Sequence, residues 1–290
     1  MALDKFIPQL WSARLLSNLN AAHVYAALCN RDYEGEISDV GDTVKISSIG
    51  RVTTFKYNKN TDMPAPETLT DAQRLLTITE SQAFNFQVDD IDKAQQTPKV
   101  MGEAMQEAGY SLSSDNDAFI AGKYIDAGIT AGFGSDAVPL SITTADAGYN
   151  YLVDLAAAMD DAKVPKGTRW VVLPTWYKAL FLKVGTNNRF VDLSDTTSRS
   201  LLERGLPAQG LIGEIAGFAA YASLNVPNTA GAKFKVMAGY RQTLSYAEQI
   251  VKVEAYRPEK RFADAVKGLH VYGAKTVRPE TLACMTVNRT

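Results

Sequence analysis

Residues 37–80 read as one long β-hairpin, and the chain passes from it toward a long helix that starts at Thr97-Pro98. Gly41-Asp42 opens the hairpin; Val44 and Ile46 point to one face, Lys45 and Ser47 to the other. Residues 52–57 continue as strand, rich in β-branched and aromatic side chains. Residues 58–70, with Pro64 and Pro66 among polar neighbours, form the tip. On the return strand Leu76 and Ile78 share one face, Thr77 and Thr79 the other. A hairpin this long has too little core to stand alone in water. Nothing else in the sequence reads as its bed, which predicts a neighbouring subunit beneath it. Lys45, Arg51, Lys56, Lys59 and Arg74 make it basic. Those charges read either as solvated edges that resist aggregation or as partners for acidic groups on a neighbour.

Upstream, Leu10, Leu15, Leu19 and Leu28, with Trp11 and Val24 nearby, form a loose amphipathic pattern broken by Pro8. It reads as a terminal arm with a short helix, packed on its own domain or docked on another surface. Downstream, Phe84, Phe86 and Val88 alternate with Asn85, Gln87 and Asp89, a half-buried strand. Asp89, Asp90 and Asp92 then cluster, but the spacing matches no calcium loop and no glycine supplies the turn, so they read as solvated or helix-capping. Thr97 followed by Pro98 is a helix start. Met101, Met105, Ala108, Leu112 and Phe119 carry the helix to about residue 127, roughly 45 Å. Gly102, Gly109 and Gly122 weaken it locally. Its narrow apolar stripe suits a spine laid across a sheet. The glycine-rich turn at 131–135 lacks the Lys-Ser/Thr of a phosphate loop and reads as a linker.

Tyr149, Leu152, Val153, Ala156 and Met159 mark a second amphipathic helix. Trp170-Val171-Val172-Leu173 is a continuous apolar strand stopped by Pro174, and residues 175–184 are a short helix. Residues 185–200 are polar and loop-like; 210–227 hold a strand pair and 234–238 another strand. Residues 251–255, 269–272 and 282–287 make the last fifty residues mostly β. The order is α+β, with an α/β unit inserted between a helical spine and a returning sheet.

The chain is poor in reactive groupings. Lys and Arg total 30 against 32 Asp and Glu, a formal charge of −2, which argues against a dedicated nucleic-acid binder. His23 and His270 are the only histidines and read as ordinary surface or half-buried residues; a histidine-rich metal centre is excluded. No Gly-x-Ser-x-Gly elbow, Cys-x-x-Cys, Walker loop or dinucleotide fingerprint occurs. Asp160-Asp161 and Asp195 have no neighbour that explains a shifted pKa and read as surface; Trp170, Trp176 and Phe181 read as core. Cys29 and Cys284 read as buried thiols of a reducing compartment, with a disulfide between them as the alternative. No stretch has signal-peptide or membrane-spanning character.

Four stretches carry a resemblance. They are Phe6-Ile7-Pro8-Gln9-Leu10-Trp11-Ser12-Ala13-Arg14-Leu15, Asn30-Arg31-Asp32-Tyr33-Glu34-Gly35-Glu36-Ile37, Gly41-Asp42-Thr43-Val44-Lys45-Ile46 and Phe86-Gln87-Val88-Asp89-Asp90-Ile91-Asp92. With the order of parts, they make the chain similar to tailed-bacteriophage major capsid proteins of the Hong Kong 97-like fold, in a siphophage, coat-like subgroup. The resemblance spans nearly the whole chain and is strongest over about the first 120 residues.

It implies an N-terminal arm at 1–36 and an extended loop at 37–82. A peripheral domain follows at 83–144 and 241–290, with an axial domain at 145–240. It implies a structural subunit, with no enzymatic activity and no cofactor, that self-assembles into hexamers and pentamers. These would form an icosahedral head in the bacterial host cytoplasm and enclose double-stranded DNA without specific binding. The arm and loop would carry intersubunit contacts through Trp11, Arg14, Lys45, Arg51, Lys56, Lys59 and Arg74. Further partners would be a portal protein, a decoration protein and, since the arm begins almost at Met1, a separate scaffolding protein unless the chain is already mature. Some members crosslink a lysine to an asparagine; Lys56 and Lys59 sit in the loop, but nothing marks such a pocket. An encapsulin-like shell, another virion protein such as a tail component, and an enzyme with an acidic site are the alternatives.

Overall fold

The computed structural model describes residues 24–33, 43–49, 71–89, 100–182, 211–260 and 262–289, with a few isolated positions between 50 and 70. Trp11, Arg14, His23, Arg51, the helix start at Thr97-Pro98, Asp195 and the stretch 185–200 lie outside the described residues.

In chain order the elements are α1 (Tyr25–Leu28), β1 (Thr43–Ile49), β2 (Asp71–Thr77), β3 (Glu80–Asp89) and α2 (Val100–Ala121). Next come β4 (Leu140–Ile142), α3 (Ala145–Asp161), β5 (Arg169–Pro174), α4 (Thr175–Leu182), β6 (Leu211–Ile215) and β7 (Phe218–Ser223). The last are β8 (Asn228–Thr229), β9 (Lys233–Tyr240), β10 (Leu244–Tyr256), β11 (Ala263–Thr276) and β12 (Ala283–Arg289).

The larger sheet runs β4-β12-β9-β5-β7-β6, with β8 on β9. It is mixed: β5 is parallel to β7 and β4 to β12, and the other pairs are antiparallel. β5 is buried along its whole length, as its unbroken apolar run requires of a strand covered on both faces. On one face Val171 and Leu173 meet Leu152, Leu155 and Met159 of α3 and Tyr177 and Phe181 of α4. On the other, Trp170 and Val172 meet Tyr25 and Leu28 of α1 and Ile120 and Ala121 at the end of α2. Thr144 caps α3 by accepting the Ala147 N–H at 3.2 Å.

The smaller sheet is antiparallel, in the order β10-β11-β3. Phe84 and Phe86 face Met105 and Leu112 of α2, together with Val253 and Val266. The spine helix therefore lies along the smaller sheet and ends against the larger one. Its α-helical part stops at Ala121; Gly122 begins a 3-10 helix through Asp126, where the sequence predicts α-helix to about residue 127. Glycine loses most backbone entropy in a helix, and the change to a tighter 3-10 turn falls there.

Two expectations are corrected by the strand pairing. The base of the hairpin has its bed within its own subunit: β1 and β2 pair antiparallel, with Val44 opposite Leu76. Val44, Ile46, Leu76 and Ile78 bury against Ala247 and Val271 of the smaller sheet. Thr54 and Lys56, inside the stretch expected to prolong the strand, are in no strand. β12, grouped by sequence order with the returning sheet, pairs instead with β9 and β4 in the larger one. Ala283, Met285 and Val287 on alternate positions supply one face of that sheet's core, and this burial draws the strand across.

Candidate assembly surfaces and the anchor of the arm

Strand alternation sorts the basic hairpin residues. Lys45 lies opposite Leu75, and both face outward, Leu75 with 51% of its surface exposed. Lys56 and Lys59 are also exposed. Arg74 differs. It pairs with Ile46 and shares the inward face of Leu76, where Nη1 donates to the Thr276 carbonyl at 3.2 Å. Its guanidinium ties the hairpin to β11 of its own subunit. The alternation through Leu76 and Ile78 already carried that signal.

Beneath the spine lies a buried polar cluster that sequence reasoning missed. Asp117 of α2 is 1% exposed, and its carboxylate accepts the backbone N–H groups of Val24, Tyr25 and Ala26 at 2.8, 3.0 and 3.3 Å. A four-residue helix has no capping side chain of its own here, so a residue far away in sequence supplies the acceptor. Glu248 of β10 holds the other end of the segment. It pairs with Arg31 and accepts the Tyr246 hydroxyl at 2.6 Å, and Asn116 Nδ2 stands 3.5 Å away. Asn30 bridges to Ser245, its N–H donating to Leu244 and its carbonyl accepting from Tyr246.

His270 is 1% exposed rather than at the surface, with Nε2 3.3 Å from Glu248 and its ring stacked on Tyr272. Burial first, and the Glu248 carboxylate second, push the Tyr246 hydroxyl far up, so it stays a donor. The signal for this cluster was the helix period. Leu112 and Ser113, Asn116 and Asp117, and Ile120 all fall on the buried stripe of α2, and its middle is polar. Asp117 and the Tyr246 hydroxyl are partnered, whereas the Tyr25 hydroxyl, Asn116 Oδ1 and both His270 ring nitrogens find no hydrogen-bond partner among the described residues.

The remaining charged groups serve the larger sheet. Arg169 is buried and reaches the Asp160 carboxylate at 2.8 Å and the Pro165 carbonyl at 3.1 Å, closing the C-terminal end of α3; Lys166 joins Asp160 at 2.8 Å. Hydrogen bonds from Lys166 and Arg169 hold Asp160 below the usual carboxylate range. Lys235, buried on β9, pairs with Asp136 at 2.5 Å and bonds Thr286 at 3.1 Å, lowering Asp136 in the same way. Trp170 and Phe181 are core, and Trp176 packs edge-on against Tyr177 and Phe234. Cys29 and Cys284 are free and buried; burial raises both thiols, Cys284 to about 11. Among the described residues no grouping of metal-ligating side chains occurs, and no helix is long and apolar enough to cross a membrane.

The described fold is a spine helix joining two sheets, a hairpin base packed on the smaller one and a segment at residues 24–31 pinned by buried charge. The profile of the phage capsid protein family matches residues 73–285, well over half of the chain. A structure from Mycobacterium phage Che8 is 26% identical with a TM-score of 0.71, covering 91% of this chain and 90% of that one. The capsid structure of cyanophage P-SCSP1u is 15% identical at a TM-score of 0.63, covering 88% and 85%. A virus-like particle from Pyrococcus furiosus shares the fold at 14% identity and a TM-score of 0.57, covering 95% and 97%. No curated protein matches. The chain belongs to the phage capsid protein family and is a structural subunit of a phage head.

Proposed function

We propose that copies of this chain join as hexamers and pentamers and close an icosahedral head around double-stranded DNA, without specific binding and without catalysing a reaction. The observation that carries this is the hairpin: its base is buried on its own sheet, while Lys45, Leu75, Lys56 and Lys59 face outward. An outward basic and apolar face at the root of a long loop fits a surface on a second copy, and closed symmetry repeats one such contact many times. In this reading 1–36 is the arm, 37–82 the clasping loop, 83–144 with 241–290 the peripheral part and 145–240 the axial part, with β12 lent to the axial sheet. Trp11, Arg14, Lys45, Arg51, Lys56 and Lys59 face neighbours, whereas Arg74 serves its own subunit. A weak net charge suits an inner wall that must release its genome. A separate scaffolding protein, a portal and a decoration protein complete the assembly, which takes place in the bacterial cytoplasm.

Negative-stain electron microscopy of the expressed chain, alone and with candidate scaffolding proteins, tests this. Icosahedral shells or capsomer rings are the expected result. Monomers under every condition would overturn it.

A further inference from the structure

On the face of the larger sheet that α1 covers, strand register sets Glu214, Ala219, Trp170 and Gly239 side by side across β6, β7, β5 and β9. Between the carboxylate and the indole stands only the methyl group of Ala219, so the face dips there. Tyr221, two residues further along β7, borders the dip, and Ala27 and Leu28 of α1 close it on the other side. The result is a cavity of about 610 Å³, a size that suits a small ligand. The β6–β7 hairpin beside it is irregular. Its register shifts between Leu211 and Gly213, and Ala216 holds φ +52°, a conformation that a Cβ disfavours. Gly213 and Gly217 leave bare backbone along this wall, and a Cβ at either would meet nothing within 4 Å.

The polar groups on the lining are mostly donors. Trp170 is buried, and its Nε1–H has no hydrogen-bond partner. An unpaired buried donor is costly, which favours a ligand that brings an acceptor. Burial raises the pKa of the Tyr221 hydroxyl, which therefore stays protonated. At the exposed rim Lys166 and Arg169 share the single carboxylate of Asp160, which leaves a positive excess. Arg241 adds to it from the turn between β9 and β10. Glu214 supplies an acceptor on the opposite wall. Among the described residues neither Arg241 nor Glu214 has an ion-pair partner.

We propose that this cavity binds a nucleoside monophosphate, with the phosphate held by Lys166 and Arg241, the base against Trp170 and Tyr221, and a donor edge of the base on Glu214. Two cations match a phosphate. Aromatic rings stack on a flat base. An ionised carboxylate only accepts, so it selects a base edge that carries N–H groups, as guanine does. The site lies apart from the hairpin and does not depend on shell formation. A nucleotide within a nucleic-acid strand carries the same chemistry, and the test separates it from the free ligand.

The test is calorimetric titration of the purified full chain with guanosine monophosphate, followed in parallel by tryptophan fluorescence. Saturable binding at one site per chain is expected, weakened by about tenfold in Arg241→Ala. Glu214→Gln should weaken guanosine monophosphate and leave inorganic phosphate unchanged. Both positions are exposed, so the variants keep the fold, which circular dichroism checks. Lys275→Ala, also exposed but outside the cavity, should bind as the unmodified chain does. No saturable binding by the folded chain would overturn the proposal, as would an equal loss in Lys275→Ala. A guanine-bearing single-stranded DNA that binds more tightly than the free nucleotide, with the same dependence on Arg241, would overturn the assignment to a small ligand. None of these results bears on whether shells form, so the shell reading stands or falls separately.

Discussion

At the scale of single residues the structure depends on carboxylates that act across long sequence separations. Asp117→Ala removes the acceptor of buried N–H groups at the start of α1. A loss of about 2 kcal/mol is expected, read as a lower denaturation midpoint and faster proteolysis of the arm. Glu248→Gln strips the charge facing Arg31 and is expected to destabilise by about 2–3 kcal/mol; Glu248→Gln with Arg31→Met should recover part of this in a double-mutant cycle. Asp136 and Asp160 give the acid response its sign. Both carboxylates are held below their unfolded value, so their contribution is present above about pH 4 and is lost as pH falls through the depressed folded value. Both are partly exposed, so the effect is small. Thermal melts between pH 2 and 6 should show a shallower acid decline in an Asp136→Asn, Asp160→Asn variant. An unchanged slope would remove these pairs from the account.

At the scale of elements, alternation and helix period place each side chain, and turns admit little change. Gly134 has φ +77°, and a Cβ there would stand 2.6 Å from the Thr286 carbonyl oxygen on β12. Gly134→Ala forces a positive φ and displaces backbone, a loss expected at about 2 kcal/mol or more, measured as a drop in Tm. The spine helix illustrates what local patterns reveal and what they hide. Met105 and Leu112 showed its apolar face, and Gly122 marked its weak point. The polar middle of the same face, Asn116 and Asp117, broke the hydrophobic pattern and so concealed that the stripe was continuous. Arg74 shows a related effect: its charge argued for the outside, while the alternation through Leu76 puts it, half-buried, on the face where it reaches the Thr276 carbonyl.

At the scale of the whole molecule, the base of the hairpin belongs to its own subunit, and in the function proposed above its distal loop serves a neighbour. Deleting 58–70 should therefore leave a soluble subunit with unchanged circular dichroism, while shells form poorly or fall apart at lower denaturant. Shells of normal stability would show that the distal loop clasps nothing. The paired strands at the hairpin base, the spine helix and the later strands and helices were legible in the chain, because period-two and period-3.6 patterns and apolar runs are local signals that survive without knowledge of partners. Which strand joins which sheet was not. β12 moved to the larger sheet because a core of alternating Ala283, Met285 and Val287 needed covering there, and the base of the hairpin found Ala247 and Val271 beneath it. Those choices, and the carboxylates that pin the arm from about 90 and 217 residues away, follow from burial and hydrogen-bond satisfaction between distant segments. Only the folded chain settles that balance.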